Sequence, residues 1–181
     1  MKVLLHICCG VCAAGAIKSL VSEGHEVIGY FYNPNIQPVE EYQKRFSSTC
    51  RVSREFYVPL EIGEYNPDYW LKQTEALKHE PEGGARCHDC YKIRLEKTYK
   101  YLFECEADAF TTSLTISPYK SSKLINEIGS KIGGERFLVR DFKKNDGFKD
   151  AIDMAKRWDL YRQDYCGCIY SVQYGGDENH G

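Results

Sequence analysis

The chain has 181 residues, of which 43% are hydrophobic and 28% charged, with a formal net charge of -2. These are the proportions of one soluble globular domain with a core of its own, spanning 1–181. A balance this close to neutral offers no global basic field for nucleic acid, although a local patch suffices for such a partner. No apolar run reaches the roughly 18 residues that span a bilayer. The opening apolar stretch is short and ends in cysteines, unlike a secretory signal, so a cytoplasmic protein with no membrane partner is expected.

Lys2–Ile7 reads as a first strand whose near-continuous apolar character suits a parallel sheet covered on both faces. The pattern breaks at Gly10 and resumes as a helix over Ala13–Glu23, with Ala16, Ile17, Leu20 and Val21 at helical spacing and Gly24 as its stop. His25–Tyr32 reads as a second strand closed by Asn33-Pro34-Asn35, Val39–Ser48 as a helix, and Phe56–Leu60 as a short third strand. Asn66–Leu77 is a helix with Asn66 as N-cap and Pro67 at the first position, where a missing N–H costs nothing. A loop marked by Pro81, Gly83 and Gly84 leads into a long helix from Cys87 to about Cys105. Ala107–Thr112 is a fourth strand, Ser121–Lys131 a helix, Phe137–Val139 a fifth strand and Phe148–Leu160 a last helix. The alternation predicts a single three-layer, Rossmann-like α/β domain of about five parallel strands with helices on both faces. In such sheets ligands bind beyond the carboxyl ends of the strands, where the strand order reverses. With strand one central and strand four beside it, that point falls between Cys8–Cys12 and Thr111-Thr112-Ser113.

Of nine cysteines, seven fall in three groups: Cys8, Cys9 and Cys12; Cys87 and Cys90; Cys166 and Cys168. Clustered cysteines in a reducing compartment bind metal or do redox work more often than they form disulfides. A Cys-x-x-Cys pair at a helix N-terminus converges two thiolates on one metal, and the helix dipole favours their charge. Seven thiols exceed the set taken by a tetrahedral zinc or a single cluster, which points to a cluster with a second metal or with a redox-active thiol pair. None of the spacings is that of a ferredoxin run, so spacing leaves the metal open. A structural zinc on Cys87, Cys90, Cys166 and Cys168 is an open alternative, as is core packing of Cys8 and Cys9. Cys50 and Cys105 stand alone in helical contexts and are expected to be buried. Asp89, between two of the cysteines, has a carboxylate fit to ligate iron, orient a ligand or accept a proton, or simply to stabilise a helix N-terminus. His88, Asp164 and Tyr165 are weaker candidates of the same kind. No Gly-x-Gly-x-x-Gly follows the first strand and no P-loop occurs, so neither NAD nor flavin is indicated. Segment 118–164 holds eleven Lys/Arg against eight Asp/Glu with interspersed aromatics, a composition suited to an RNA backbone and a splayed base as well as to an ordinary amphipathic surface.

Leu5-His6-Ile7-Cys8-Cys9 with Cys12, Arg86-Cys87-x-x-Cys90-Tyr91 with Arg94, Thr111-Thr112-Ser113-Leu114 before Ser117-Pro118, and Tyr165-Cys166-Gly167-Cys168 together resemble the QueH-type epoxyqueuosine reductases. The resemblance runs over nearly the whole chain. It implies the last step of queuosine biosynthesis: reduction of epoxyqueuosine to queuosine at the wobble position of tRNA, with the epoxide oxygen leaving as water. It implies the fold of the adenine-nucleotide alpha-hydrolase superfamily, with the phosphate loop replaced by Cys8-Cys9-Gly10-Val11-Cys12, and an iron–sulfur cofactor in place of cobalamin. On this reading a four-iron four-sulfur cluster and a second iron nearby share Cys8, Cys9, Cys12, Cys87, Asp89, Cys90, Cys166 and Cys168. Asp89, Cys8 and Cys12 are then the catalytic candidates, and the partners are tRNA carrying epoxyqueuosine in its anticodon and a ferredoxin- or flavodoxin-like electron donor. The competing readings are an ATP-dependent tRNA-thiolating enzyme of related fold, which needs a Ser-Gly-Gly-x-Asp-Ser type loop where this chain has cysteines, and a non-catalytic zinc-binding tRNA-interaction protein.

Overall fold

In the computed structural model, which describes residues 1–174, four strands form one parallel sheet: β1 (Lys2–Ile7), β2 (Glu26–Phe31), β3 (Leu60–Ile62) and β4 (Ala109–Thr112). The order is β3-β2-β1-β4, with Leu5 of β1 opposite Gly29 of β2 and Thr111 of β4. β1 therefore has a partner on each side, and Val3, Leu4 and Leu5 are fully buried. Each such side chain contributes roughly 1.5–3 kcal/mol by leaving water.

Seven α-helices connect and cover the strands: α1 (Gly10–Ser22), α2 (Val39–Phe56), α3 (Pro67–Thr74), α4 (Ala85–Glu104), α5 (Ser122–Gly133), α6 (Gly147–Arg157) and α7 (Ile169–Tyr174). Right-handed crossovers set the layers. The chain steps outward from β1 to β2 to β3 through α1 and α2, then returns past β1 to β4 through α3 and α4. α1 packs against α2 and α6, while α4 packs against β1, β4, α3 and α5. The reversal of strand order lies between β1 and β4, as expected.

Three expectations are corrected. The first helix starts at Gly10, not Ala13, because Cys9 acts as N-cap and its sulfur accepts the Cys12 N–H. Cys12 is therefore in the first helical turn. The helix placed over Val39–Ser48 continues to Phe56 and displaces the third strand to Leu60–Ile62. It stops at Tyr57, which takes the left-handed conformation (φ 55°) usually left to glycine, so no stop signal is written in the sequence. The fifth strand is reduced to one bridge between Phe137 and Phe110. Beyond it, Asn126 of α5 bonds both the N–H and the C=O of Arg140, taking the backbone groups that a longer ladder would need.

α1 reaches α6 closely through Gly15, where an added Cβ would meet Ile116 Cδ1 and lie 2.9 Å from the Gly147 carbonyl oxygen and 3.1 Å from Ala151 Cβ. Two of these three obstacles belong to α6, one of them rigid backbone. Gly15→Ala is expected to lower stability by about 1–3 kcal/mol despite alanine's better helix propensity. A urea midpoint at or above that of the parent would contradict this packing.

Candidate metal centre

The carboxyl edge of the sheet is organised by His6, the one charged or polar side chain of β1 between Val3 and Ile7. It is fully buried. Burial, helped by the nearby Arg94 guanidinium, pushes its pKa down from 6.5 to about 3, so the ring is neutral. Nε2 faces the Tyr32 carbonyl at 3.1 Å and must carry the proton, because a carbonyl only accepts. Nδ1 then accepts from the Thr112 hydroxyl at 2.9 Å, and Thr112 Oγ1 accepts the Leu114 N–H at 3.2 Å. One side chain thus ties the ends of β1, β2 and β4 together.

Next along β1 stand Cys8 and Cys9, and then Cys12 one helical turn on. The three sulfurs lie within 4.8 Å of one another and all three residues are buried. Ser113, just past β4, accepts the Cys8 N–H at 3.2 Å and donates to Cys8 Sγ at 3.6 Å. The Gln163 amide donates to Cys9 Sγ at 3.0 Å. Cys8 is held well below the usual thiol range, because the Cys12 and Cys9 thiols donate to it and Lys120 lies near, against burial. Cys9 is pushed up to about 12: a bond from Cys12 lowers it, but its own proton is committed to Cys8 and burial disfavours a second charge. Cys12 is raised for the same reasons, led by its bond to Cys8. The three sulfurs form a soft donor set of the kind a thiophilic metal takes up by displacing thiol protons.

Of the remaining four cysteines only Cys166 reaches the cavity wall, and among the described residues none joins the trio at ligand distance. Cys90 packs with Cys168 and Trp70 in a small cluster of their own. Burial raises the thiols of Cys87 and of Cys90, the latter to about 11, and the neighbouring Cys166 and Cys168 add to both shifts. Gly83 N–H donates to Cys87 Sγ at 3.2 Å. Cys166 lines a cavity of about 40 Å³ together with Cys8, Cys12, Arg45, Arg94 and Lys120. Asp89 is half-buried past the first turn of α4, which starts at Ala85 rather than Cys87, and does not line this cavity; His88 is exposed. Cys50 and Cys105 are half-buried, away from the site.

Several members of the site are not among the sequence candidates. Arg45 of α2 is 3% exposed and ion-pairs with Glu41 at 2.6 Å, while its two terminal nitrogens donate to the Tyr165 and Cys166 carbonyls at 3.0 Å each. Gly167 comes next at φ 111°, a conformation open to glycine, and its carbonyl accepts the Gln37 N–H at 2.8 Å. The third cysteine pair is therefore held in place by main-chain contacts. An arginine four residues after a glutamate on a helix is the only sequence trace of this clamp; Lys120 and Gln163 left none.

Two outcomes are expected. The folded pKa of His6, about 3 against 6.5, means that only the unfolded chain takes up this proton between those values. Stability from this group is complete above about pH 6.5 and is lost as pH falls toward 3, on the order of 5 kcal/mol in total. His6→Gln should flatten that part of the pH dependence in urea titrations; an unchanged slope would refute the neutral, buried ring. Arg45→Met leaves the buried Glu41 carboxylate with the Tyr161 hydroxyl as its remaining partner and loosens the Tyr165–Gly167 loop, so a loss of roughly 3 kcal/mol is expected. Adding Glu41→Gln should recover stability, measured by urea unfolding, without recovering metal uptake by the loop.

The model of the family Epoxyqueuosine reductase QueH matches residues 3–174 of the chain. Relatives carrying that name include one from Streptococcus pyogenes serotype M1, 37% identical over 97% of this chain and 72% of its own length. One from Acinetobacter baylyi is 33% identical over 95% of this chain and 81% of its own, and one from Thermotoga maritima 32% identical over 94% and 90%. With its cysteine trio at the strand-order reversal and similarity of this extent, the chain belongs to the epoxyqueuosine reductase QueH family.

Proposed function

We propose that this oxidoreductase reduces epoxyqueuosine to queuosine at the wobble position of tRNA, and that it does so with iron–sulfur chemistry at the β1–β4 edge. The observation that carries the reading is the buried trio Cys8, Cys9 and Cys12 at the reversal of strand order, in a chain of this family. The reaction consumes two electrons and two protons, breaks the epoxide carbon–oxygen bonds, forms the ring double bond and releases the oxygen as water. An external ferredoxin- or flavodoxin-like donor is proposed as the electron source and the cytoplasm as the setting. The whole of 1–181 is taken as one catalytic domain, with the adenine-nucleotide alpha-hydrolase type of fold and cysteines in place of its phosphate loop.

The donor set fits an iron–sulfur group: seven thiols on three segments, with buried polar atoms of Arg94 and Gln163 lacking partners beside them. Cys8, Cys9, Cys12, Cys87, Cys90, Cys166 and Cys168, with the carboxylate of Asp89, are proposed to hold a four-iron four-sulfur cluster and a second iron. When bound, this group supplies electrons and Lewis acidity toward the epoxide oxygen. The chain's own residues do the rest. Gln163, Ser113 and Gly83 orient the sulfurs of Cys9, Cys8 and Cys87 by hydrogen bonds. Asp89, on α4 between two cysteines, is the proposed proton-handling carboxylate. The cavity, about 40 Å³, is smaller than a nucleobase. The base is proposed to meet it at the rim between β1 and β4, where Tyr119 is 92% exposed next to Lys120, with basic residues of 118–164 along the RNA backbone.

The test is iron and sulfide content of anaerobically prepared protein, read beside epoxide reduction on tRNA in the same sample. About four irons per chain or more, with sulfide, rising and falling with turnover, is the expected result. Zinc without sulfide and no turnover with any reductant would overturn it.

A further inference from the structure

Three cations reach the wall of the cysteine cavity: Arg45, Arg94 and Lys120. They are not equivalent. Arg45 is neutralised by Glu41 and spends its donors on carbonyls. Arg94 is 2% exposed, gives one Nε bond to the Cys90 carbonyl at 3.3 Å, stacks its guanidinium 5.6 Å from the Tyr91 ring centre, and leaves Nη2 buried without a partner. Lys120 is partly buried at the same wall. Among the described residues no carboxylate pairs with Arg94 or with Lys120. The acidic groups that face them are thiols and a phenol. Burial opposes the charge of Lys120, but Cys166, Cys8, Tyr91 and Cys12 raise its pKa. Arg94 is raised likewise against burial by Cys90, Cys166, Cys8 and Tyr91.

A buried cation without a counter-ion is costly. A fold that keeps two of them on one wall with the sulfurs of Cys8, Cys12 and Cys166 is balanced when those sulfurs are anionic. A thiolate-ligated iron–sulfur group is anionic, and each electron it accepts adds negative charge, so adjacent fixed cations stabilise its reduced form. We propose that Arg94 and Lys120 are positioning residues that compensate the charge of the cysteine-bound group and raise its reduction potential, placing it within reach of the cell's ordinary low-potential donors. This rests on the iron–sulfur reading above. It assigns to the chain, and not only to the cofactor, the ease with which the second electron enters.

Lys120 is the residue to vary, since Arg94→Gln also removes the bond to the Cys90 carbonyl and risks the fold. Lys120→Met and Lys120→Arg are compared with the parent, reconstituted anaerobically, by iron and sulfide content and by the midpoint potential from a spectroscopically monitored redox titration. Lys120→Met is expected to hold as much iron and sulfide as the parent with a more negative midpoint, and Lys120→Arg to restore the parent's value. An unchanged midpoint in fully loaded Lys120→Met would overturn the proposal. Metal-free chains give an arm that does not depend on iron. There Lys120→Met should have a lower urea midpoint than the parent, and Lys120→Arg should restore it, because the cation that faces the Cys8, Cys12 and Cys166 sulfurs is removed. A midpoint equal to or above the parent's would mean that those sulfurs do not hold the cation and would overturn the proposal too. A parent that takes up neither iron nor sulfide defeats the proposed function instead, and the metal-free comparison still decides the role of Lys120.

Discussion

Everything at the site depends on β1 lying between β2 and β4 in parallel register. A strand with partners on both sides has a fixed end, and the residues just beyond that end cannot drift. Here they are Cys8 and Cys9, and the end of β4 supplies Ser113 to bond the first of them. His6 makes the arrangement stiffer than a ladder alone would. Its neutral ring accepts on one nitrogen and donates on the other, so it joins three strand ends without burying a charge. A cation at that position would repel Arg94 and undo the balance of the cavity.

The alternation of strands and helices was legible because β1 and β2 are unbroken apolar runs and the caps of α3 are written in Asn66-Pro67. What was not legible has tertiary causes. α2 outruns its expected end since Tyr57 adopts a left-handed stop without glycine, and the strand at Phe137–Val139 shrinks since Asn126 of the preceding helix α5 takes the backbone groups of its neighbour Arg140. The same split holds at the site. Residue type and spacing marked all seven clustered cysteines, and the topological rule told where the first group would stand. Gln163 could not be found that way, because it lies 154 residues from the sulfur it contacts. Lys120 reads in the sequence as one of many surface lysines. Asp89 was placed among the ligands by its neighbours in sequence; it is half-buried and is not one of the residues lining the wall that Cys8, Cys12 and Cys166 share.

The site is also uneven in how it is held. The Tyr165–Gly167 loop is fixed through its carbonyls by Arg45 and through the Tyr165 hydroxyl by the Gln37 carbonyl, not through the cysteine side chain it carries. The Cys87–Cys90 pair is fixed by being helical. The first trio depends on neither, but on a strand end and a turn. Three different supports, a strand end, a helix and a main-chain clamp, thus make up the receptacle of the cysteine groups.

Cys9 has a double appointment in that receptacle. Its sulfur caps α1, and it is also one of the three that face each other. A protonated thiol is a poor cap, whereas a thiolate at the positive end of a helix dipole is a good one. Whatever draws the proton from Cys9 therefore tightens the first turn of the helix on which Cys12 rides. The occupancy of the sulfur nest and the order of that turn are two readings of one equilibrium, and the backbone amide of Cys12 is the pointer that moves with both.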